Sequence, residues 1–349
     1  MNAGINKLAG PYFKQYPYEK QAMTIKEVAQ LAGVSSAAVS RYINGGSLSD
    51  QKREKIRKAI EITGYRPNLM ARSMRTGRGG QVGVIVPKIH SDSVSAVMAG
   101  ISDTLAEAGY MTLLGNAELS DEKEIRYLDL MKNNQVAGIV LMAGSMTPEK
   151  EAMISEMQIP VVITGQNFEG MPCVYHNDYH AAAVLAEHMI ARGRKKIAYI
   201  GVTERDLAAG LARRLGVQRA LREAGLESEN IPRRIGEFNA ESGRKCMTEL
   251  LEEVPDLDGV ICATDAIALG AMRILKERGR KVPEDVSVAG FGNSWAGRVS
   301  NPALTTIRLD FRGCGEKAAR LLLDIIGGRT TGRDSREVLP FELLERESV

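Results

Sequence analysis

"TIKEVAQLAGVSSAAVSRYINGG", residues 24–46, decides how the first part of the chain folds. Gly33 and the Gly45-Gly46 pair punctuate it, so the spacing predicts two short helices, broken at Gly33 and ended by the glycine pair. In the second helix Val39 and Ile43 lie four apart and can pack inward, with Val34 just ahead turning the chain. The opposite face then holds Ser36, Ala37, Ser40, Arg41 and Asn44 on one side. That face is small and polar and carries a single guanidinium fork. A helix entering a DNA major groove needs short side chains, so that its backbone can approach, plus a few groups of fixed geometry. Arg gripping guanine O6 and N7 is the commonest of these. Arg41 fits that description, Ala37 suits a thymine methyl, and Ser36 and Ser40 suit bases or phosphates. The competing reading is a small helical bundle whose Arg41 is merely solvated.

Working outward, "SDQKREKIRKAIEITG" predicts a third helix with Ser49 at its N-cap and Gly64 just past its end. "YRPNLMARSMRTGRGG" starts a short helix at Pro67 and dissolves at Gly77, Gly79 and Gly80. Residues 24 to 80 hold 11 Lys/Arg against 4 Asp/Glu, a local +7, while the whole chain is only +3. A basic first module on a mildly acidic body points to a polyanion partner for the first part alone. From residue 82 the pattern changes. Apolar, β-branched runs at 82–87, 111–115, 138–144, 161–165, 197–202, 259–265 and 286–292 alternate with helical periodicity such as Val94, Val97, Met98, Ile101 and Leu105. Continuous apolar strands are buried on both faces, which predicts a parallel α/β body, and its length suits two doubly wound lobes with a cleft between them.

The 349 residues are 44% apolar and 26% charged, with no run long enough for a membrane span. Residues 1 to 22 lack an apolar secretion core, so a cytoplasmic protein is expected. Cys173, Cys246, Cys262 and Cys314 form no C-x-x-C pair and read as small core residues. An enzyme is not expected. "GFGNSWAG" lacks the later glycines of a dinucleotide loop, and "TGRGGQVG" precedes a strand with no G-K-[ST] after it. No nucleophile, base and orienter can be assembled. His176 and His180 have metal-pair spacing only if they share a helix, and His176 is expected to end a strand, so neither a metal nor another cofactor is expected.

Residues 24 to about 344 closely resemble the lactose and galactose repressor family of bacterial transcription regulators. "TIKEVAQLAGVSSAAVSRYINGG" is similar to the family headpiece, "GYRPNLMARSMRTGR" to its hinge helix and "VGVIVPKI" to its first core strand. "ATDAIALGAMRILKERGRKVPEDVSVAGFGN" and "NPALTTIRLDF" resemble its later core motifs. The resemblance implies a helix-turn-helix headpiece (23–66), a hinge helix and linker (67–80) and a periplasmic-binding-protein-like core (81–349). Lobe 1 would take about 81–176 plus 308–338, and lobe 2 about 177–307 plus 339–349. Ser36, Ala37 and Arg41 fall where the family reads the major groove. Thr24, Ser35, Ser40 and Asn44 fall at its phosphate contacts, and Asn68, Ala71 and Met74 where the hinge enters the minor groove. Met74 departs from the leucine common at that wedge. The implied partners are a pseudopalindromic operator, a second copy of the chain and a small-molecule effector. A dimer is expected because no leucine-heptad helix follows "PFELLERESV". Met23 stands where family headpieces usually begin, so residues 1–22 are either an upstream extension absent from the natural product or an aromatic arm. The runner-up to a regulator is a sugar receptor with no DNA role.

The resemblance places the effector among Ser93, Gln166, His176, Asn177, Arg213, Phe238, Thr264, Asp265, Asn293 and Trp295, with Gly165 and Gly292 nearby. Asp265 has an alternative role as a helix cap, Arg213 as a surface charge and Phe238 as a core residue. Gly292 and Gly165 replace acidic residues of relatives, which leaves Arg213, with Arg205 and Arg298 near the mouth, suited to a phosphorylated sugar. The alternative is a neutral disaccharide held by Asn177, Gln166 and Asn293 and stacked on Phe238 or Trp295.

Overall fold

The computed structural model describes residues 24–43, 46–63, 80–227, 229–332 and 335–349. Two compact units meet in the chain at Gly77 and Arg78. The first contains α1 (Ile25–Ala32), α2 (Ser36–Ile43) and α3 (Asp50–Thr63). Gly33 closes α1 in the left-handed conformation at φ 62°, where a β-carbon would be strained, and so permits the tight turn into α2. Val28, Val39 and Ile56, one from each helix, are fully buried and form the small core with Ala29, Ala32, Ala38 and Ala59. Ile43 packs against this core and is half-buried. The expected hinge residues Asn68, Ala71 and Met74, together with Asn44, Gly64 and residues 1–22, lie outside the described residues.

The second unit holds two six-stranded sheets. In the first lobe β1 (Gln81–Val86), β2 (Met111–Asn116), β3 (Ile139–Leu141), β4 (Val161–Thr164), β5 (Cys173–His176) and β11 (Arg336–Leu339) run in the order β11-β5-β4-β3-β1-β2, all parallel. Its helices include α4 (Asp92–Glu107), α5 (Asp121–Asn133), α6 (Pro148–Glu156) and α12 (Phe311–Ile326). The second lobe carries β6 (Ile197–Gly201), β7 (Arg233–Ile235), β8 (Gly259–Cys262), β9 (Ser287–Phe291), β10 (Thr305–Leu309) and β12 (Phe341–Leu344) in the order β12-β10-β9-β8-β6-β7, with β12 antiparallel to β10. Its helices are α7 (Asp178–Ala191), α8 (Arg213–Glu223), α9 (Ala240–Glu253), α10 (Asp265–Glu277) and the short α11 (Trp295–Val299), with a π-helical turn at Leu207–Ala212.

The chain passes between the lobes three times, at 176–178, 309–311 and 339–341, one short connection each. β1, β2, β3, β4, β6, β8 and β9 are the apolar runs expected from the sequence; all are buried but for Gln81, except β2, an edge strand whose Met111 and Leu114 are exposed. In the first lobe α4 and α12 cross so closely that a β-carbon at Gly100 would meet the Arg312 carbonyl, and one at Gly315 the Val97 carbonyl. That contact anchors the start of α12, and with it one wall of the cleft.

Candidate functional site

In the headpiece, α1 and α2 begin on hydroxyl caps. The Thr24 Oγ1 accepts the Glu27 amide at 3.4 Å while the Thr24 amide donates to the Glu27 carboxylate at 2.6 Å, a reciprocal capping box. The Ser35 Oγ accepts the Ala38 amide at 3.2 Å. Both residues are exposed, so these caps leave two helix N-termini facing outward, an arrangement suited to phosphate. Along α2, Ala38 and Val39 are buried, Ser36 and Ser40 half-buried, and Ala37 and Arg41 exposed. Among the described residues the headpiece ion pairs join Arg57 to Glu54 and Glu61 and Lys58 to Glu54, and none engages Arg41. The Arg41 carbonyl accepts the Gly46 amide at 2.9 Å, while Arg53 lies 5.9 Å over the Tyr42 ring. The face therefore presents short side chains and one free fork, the composition that a major groove admits.

In the core, a cavity of about 730 Å³ opens beside the lobe crossings. Lobe 1 contributes Asp92, Ser93, Phe311 and Arg312, and lobe 2 contributes Gly292, Asn293, Trp295, Arg298, Leu309, Phe341 and Glu342. Trp295 is 67% exposed, so its ring is available to stack. Asn293 sits at φ 53° and accepts a bond from Arg346 at 2.5 Å. Ser93 shares a 2.9 Å bond with Ser91. Three of the expected effector residues, Ser93, Asn293 and Trp295, thus share one cavity.

The others stand apart from it, and several are corrected. Arg213 is neither a surface charge nor an open guanidinium. It is 6% exposed, its Nε and Nη2 each lie 2.7 Å from the Asp178 carboxylate, Nη1 donates to the Ala263 carbonyl, and the guanidinium stacks 4.5 Å over Phe291. A buried guanidinium needs such a counter-charge, and Asp178, missed in the sequence, supplies it. Asp265 is not the cap of α10. Thr264 is, accepting the Ile267 amide at 3.3 Å, while the Asp265 carboxylate is buried and accepts from Thr306 and the Ser294 amide, both at 2.6 Å. Burial raises that carboxyl above its ordinary value. The Asn177 Oδ1 caps α7 by accepting the His180 amide at 3.1 Å. His176 ends β5 and His180 lies in α7, so the two do not share a helix. His176 is buried edge-on against Phe311 with ring centroids 5.8 Å apart. Burial holds its imidazole below the ordinary value, and among the described residues its Nε2 has no partner. Phe238 is half-buried with the Lys88 ammonium 5.1 Å over its ring. Gln166 is buried, and its amide is fully engaged between the lobes. Arg205 pairs with Asp121 at 3.8 Å. Phe311, Phe341 and Glu342 were also missed. They adjoin the lobe crossings, and nothing local in the sequence marks where the chain changes lobe.

A three-helix headpiece with an open reading face, ahead of a two-lobed parallel α/β core with a cavity beside its crossings, defines a DNA-binding regulator with a ligand-sensing module. Comparison with known proteins agrees. Residues 24–68 match the model of bacterial regulatory proteins of the lacI family, and residues 186–349 match a periplasmic binding protein-like domain. The chain is 32% identical over 331 residues to the HTH-type transcriptional regulator RegA of Clostridium saccharobutylicum, covering 94% of this chain and 99% of that one. It is also 32% identical over 304 residues to the sucrose operon repressor of Staphylococcus xylosus, covering 86% and 93%. Among solved structures, the transcriptional regulator CelR–cellobiose complex matches with TM-score 0.73 and 31% identity over 94% of this chain and all (100%) of that one. The lac repressor dimer bound to operator and anti-inducer has the same fold, with TM-score 0.87 at 24% identity over 94% of this chain and 99% of that one. The chain belongs to the lacI family of bacterial regulatory proteins. It is a DNA-binding transcriptional regulator and not an enzyme.

Proposed function

We propose that this protein is a repressor of a carbohydrate-utilisation operon, binding a pseudopalindromic operator as a homodimer and changing its operator affinity when a small carbohydrate occupies the core. The observation that carries the DNA half is the exposed, uncompensated Arg41 on a face otherwise made of short side chains. A two-fold dimer would present two such faces to two half-sites. The carbohydrate half rests on the cavity, which combines the Trp295, Phe311 and Phe341 rings with Ser93 and Asn293, the mix of apolar faces and a few polar groups that ligand sites use. Relatives named for sucrose and cellobiose support the same class.

An uncharged, hydroxyl-rich effector fits better than a phosphorylated one. The lining carries three arginines, Arg298, Arg308 and Arg312, against three carboxylates, Asp92, Asp310 and Glu342, so its formal charge balances, and Arg213 is already neutralised by Asp178. The test is titration with sucrose, cellobiose and ribose and with hexose phosphates, followed by Trp295 fluorescence and calorimetry. Saturable binding of a neutral sugar is expected, and binding of the phosphates alone reverses the choice of class. In parallel, selection from random DNA should return a two-fold symmetric site. An asymmetric site or none would overturn the DNA half.

A further inference from the structure

Three crossings tie the lobes together at the β5 and β11 edge of lobe 1, and further contacts between the loops that face each other across the cleft can bridge them elsewhere. Gln166, in the loop after β4, is such a bridge. Its Nε2 donates to the Ala143 and Gly144 carbonyls at 2.7 and 3.0 Å within lobe 1, and its Oε1 accepts the Leu207 amide of lobe 2 at 3.2 Å. Both amide protons and the amide oxygen are used, at a residue only 4% exposed. Shielded from water, these bonds face little competition, and parting the lobes here must break the one to Leu207. Two more contacts cross between the lobes, from the loops after β1 and β2. The Lys88 ammonium donates to the Phe238 carbonyl at 3.1 Å while lying over its ring, and Arg205 reaches Asp121 at 3.8 Å.

Leu207 is the first residue of the π-helical turn, whose next amides, Ala208 and Ala209, are capped by the Asp206 carboxylate at 3.1 and 2.8 Å. That turn runs without a break into α8, which begins at Arg213. The start of the segment is therefore held by lobe 1, and its end carries the guanidinium that reaches Asp178, the Ala263 carbonyl and the Phe291 ring.

We propose that Gln166 is a positioning residue. Its amide fastens the carboxyl-end loops of lobe 1 to the π-helical turn of lobe 2, and so sets both the opening of the cleft and the placement of Arg213. The role in regulation rests on reading the cleft as the effector site. Gln166 does not need to touch the effector, since it acts through the turn.

The test uses the full chain with spin labels at Lys132→Cys and Arg222→Cys. These are exposed positions in lobe 1 and lobe 2, the native cysteines are buried, and dilution into unlabelled protein isolates distances within one subunit. Two changes release the clasp. Gln166→Ala removes it whole. Leu207→Pro removes the amide that the Gln166 Oε1 accepts, with a leucine side chain that is itself exposed, at a first-turn position that tolerates proline, after an Asp206 backbone already extended at φ −77° and ψ 107°. Both should lengthen and broaden the distance distribution, and combining them should add nothing. A folded Leu207→Pro protein with the parent's distribution overturns the proposal, and it decides alone if Gln166→Ala does not fold. Calorimetric titration of the parent with sucrose, cellobiose and ribose separates the two readings. Longer distances without sugar binding keep the clasp and remove the effector reading, while sugar binding with unchanged distances does the reverse.

Discussion

The reading face of α2 and the interior of the core treat an arginine in opposite ways. Arg41 stands exposed with no ion pair among the described residues, whereas Arg213 is enclosed by Asp178, the Ala263 carbonyl and the Phe291 ring. The first arrangement keeps a guanidinium's hydrogen-bonding capacity for a partner outside the chain. The second uses it up in holding helix α8 against α7 and the cleft floor. Two arginines of equal charge thus serve recognition and architecture, and the difference lies in what the fold brings beside them.

The largest effect is expected in the core. Asp178→Ala leaves the Arg213 guanidinium buried without its counter-charge and should cost about 3–5 kcal/mol of core stability, read by denaturant unfolding. A loss comparable to that of an exposed pair, below ~1 kcal/mol, would mean that Arg213 turns out to solvent. On the reading face, Arg41→Ala should leave stability unchanged, cost ~1–3 kcal/mol in operator affinity and relax preference at one position of each half-site. Lys26→Ala should instead weaken binding evenly across sequences and lower its salt dependence. An unchanged sequence preference for Arg41→Ala would return that arginine to the solvated reading.

Asp206 gives a smaller effect, with a sign opposite to ordinary acid denaturation. Burial pushes its carboxyl up to about 6, with Asp178 raising it further and Arg213 and the Ala208 and Ala209 amides opposing. Because the folded value lies above the unfolded one, the folded state holds the proton more tightly. This contribution to stability is fully present below about pH 4 and is lost as pH rises through about 6. Asp206→Asn keeps a capping oxygen and should flatten the dependence of the melting temperature between pH 5 and 7.5; an unchanged slope assigns it to other groups. Smallest is Thr24→Ala, which removes one side of the capping box and should cost about 1 kcal/mol of headpiece stability, measured by thermal unfolding. A loss of operator affinity beyond that would add a phosphate contact to the capping role.

Local chemistry made much of the molecule legible. Gly33, the Val39 and Ile43 spacing and the small polar face between them define α2 within a dozen residues, and continuous apolar runs mark β1, β3, β4, β6, β8 and β9 because both faces of those strands are covered. β7, β10, β11 and β12 went unread. They are short and carry Arg233, Arg234, Arg308, Arg336 and Glu342, and β7, β11 and β12 lie at sheet edges where one face meets water. The cavity was legible only in part, through Ser93, Asn293 and Trp295.

Local sequence suffices for the modular plan of a basic helical reader on a parallel α/β body, and for which helix face could meet DNA. Those properties depend on residues within one or two helical turns of each other, or on runs that report their own burial. Packing between distant segments makes Asp178 neutralise Arg213, leaves Thr264 rather than Asp265 to cap α10, and has the Gln166 amide join the lobes instead of lining the cavity. Each of those outcomes depends on a partner 35 residues away at Arg213, 41 at Leu207, or on Thr306, 41 residues beyond Asp265, and only the packed fold selects which of a residue's possible partners it meets.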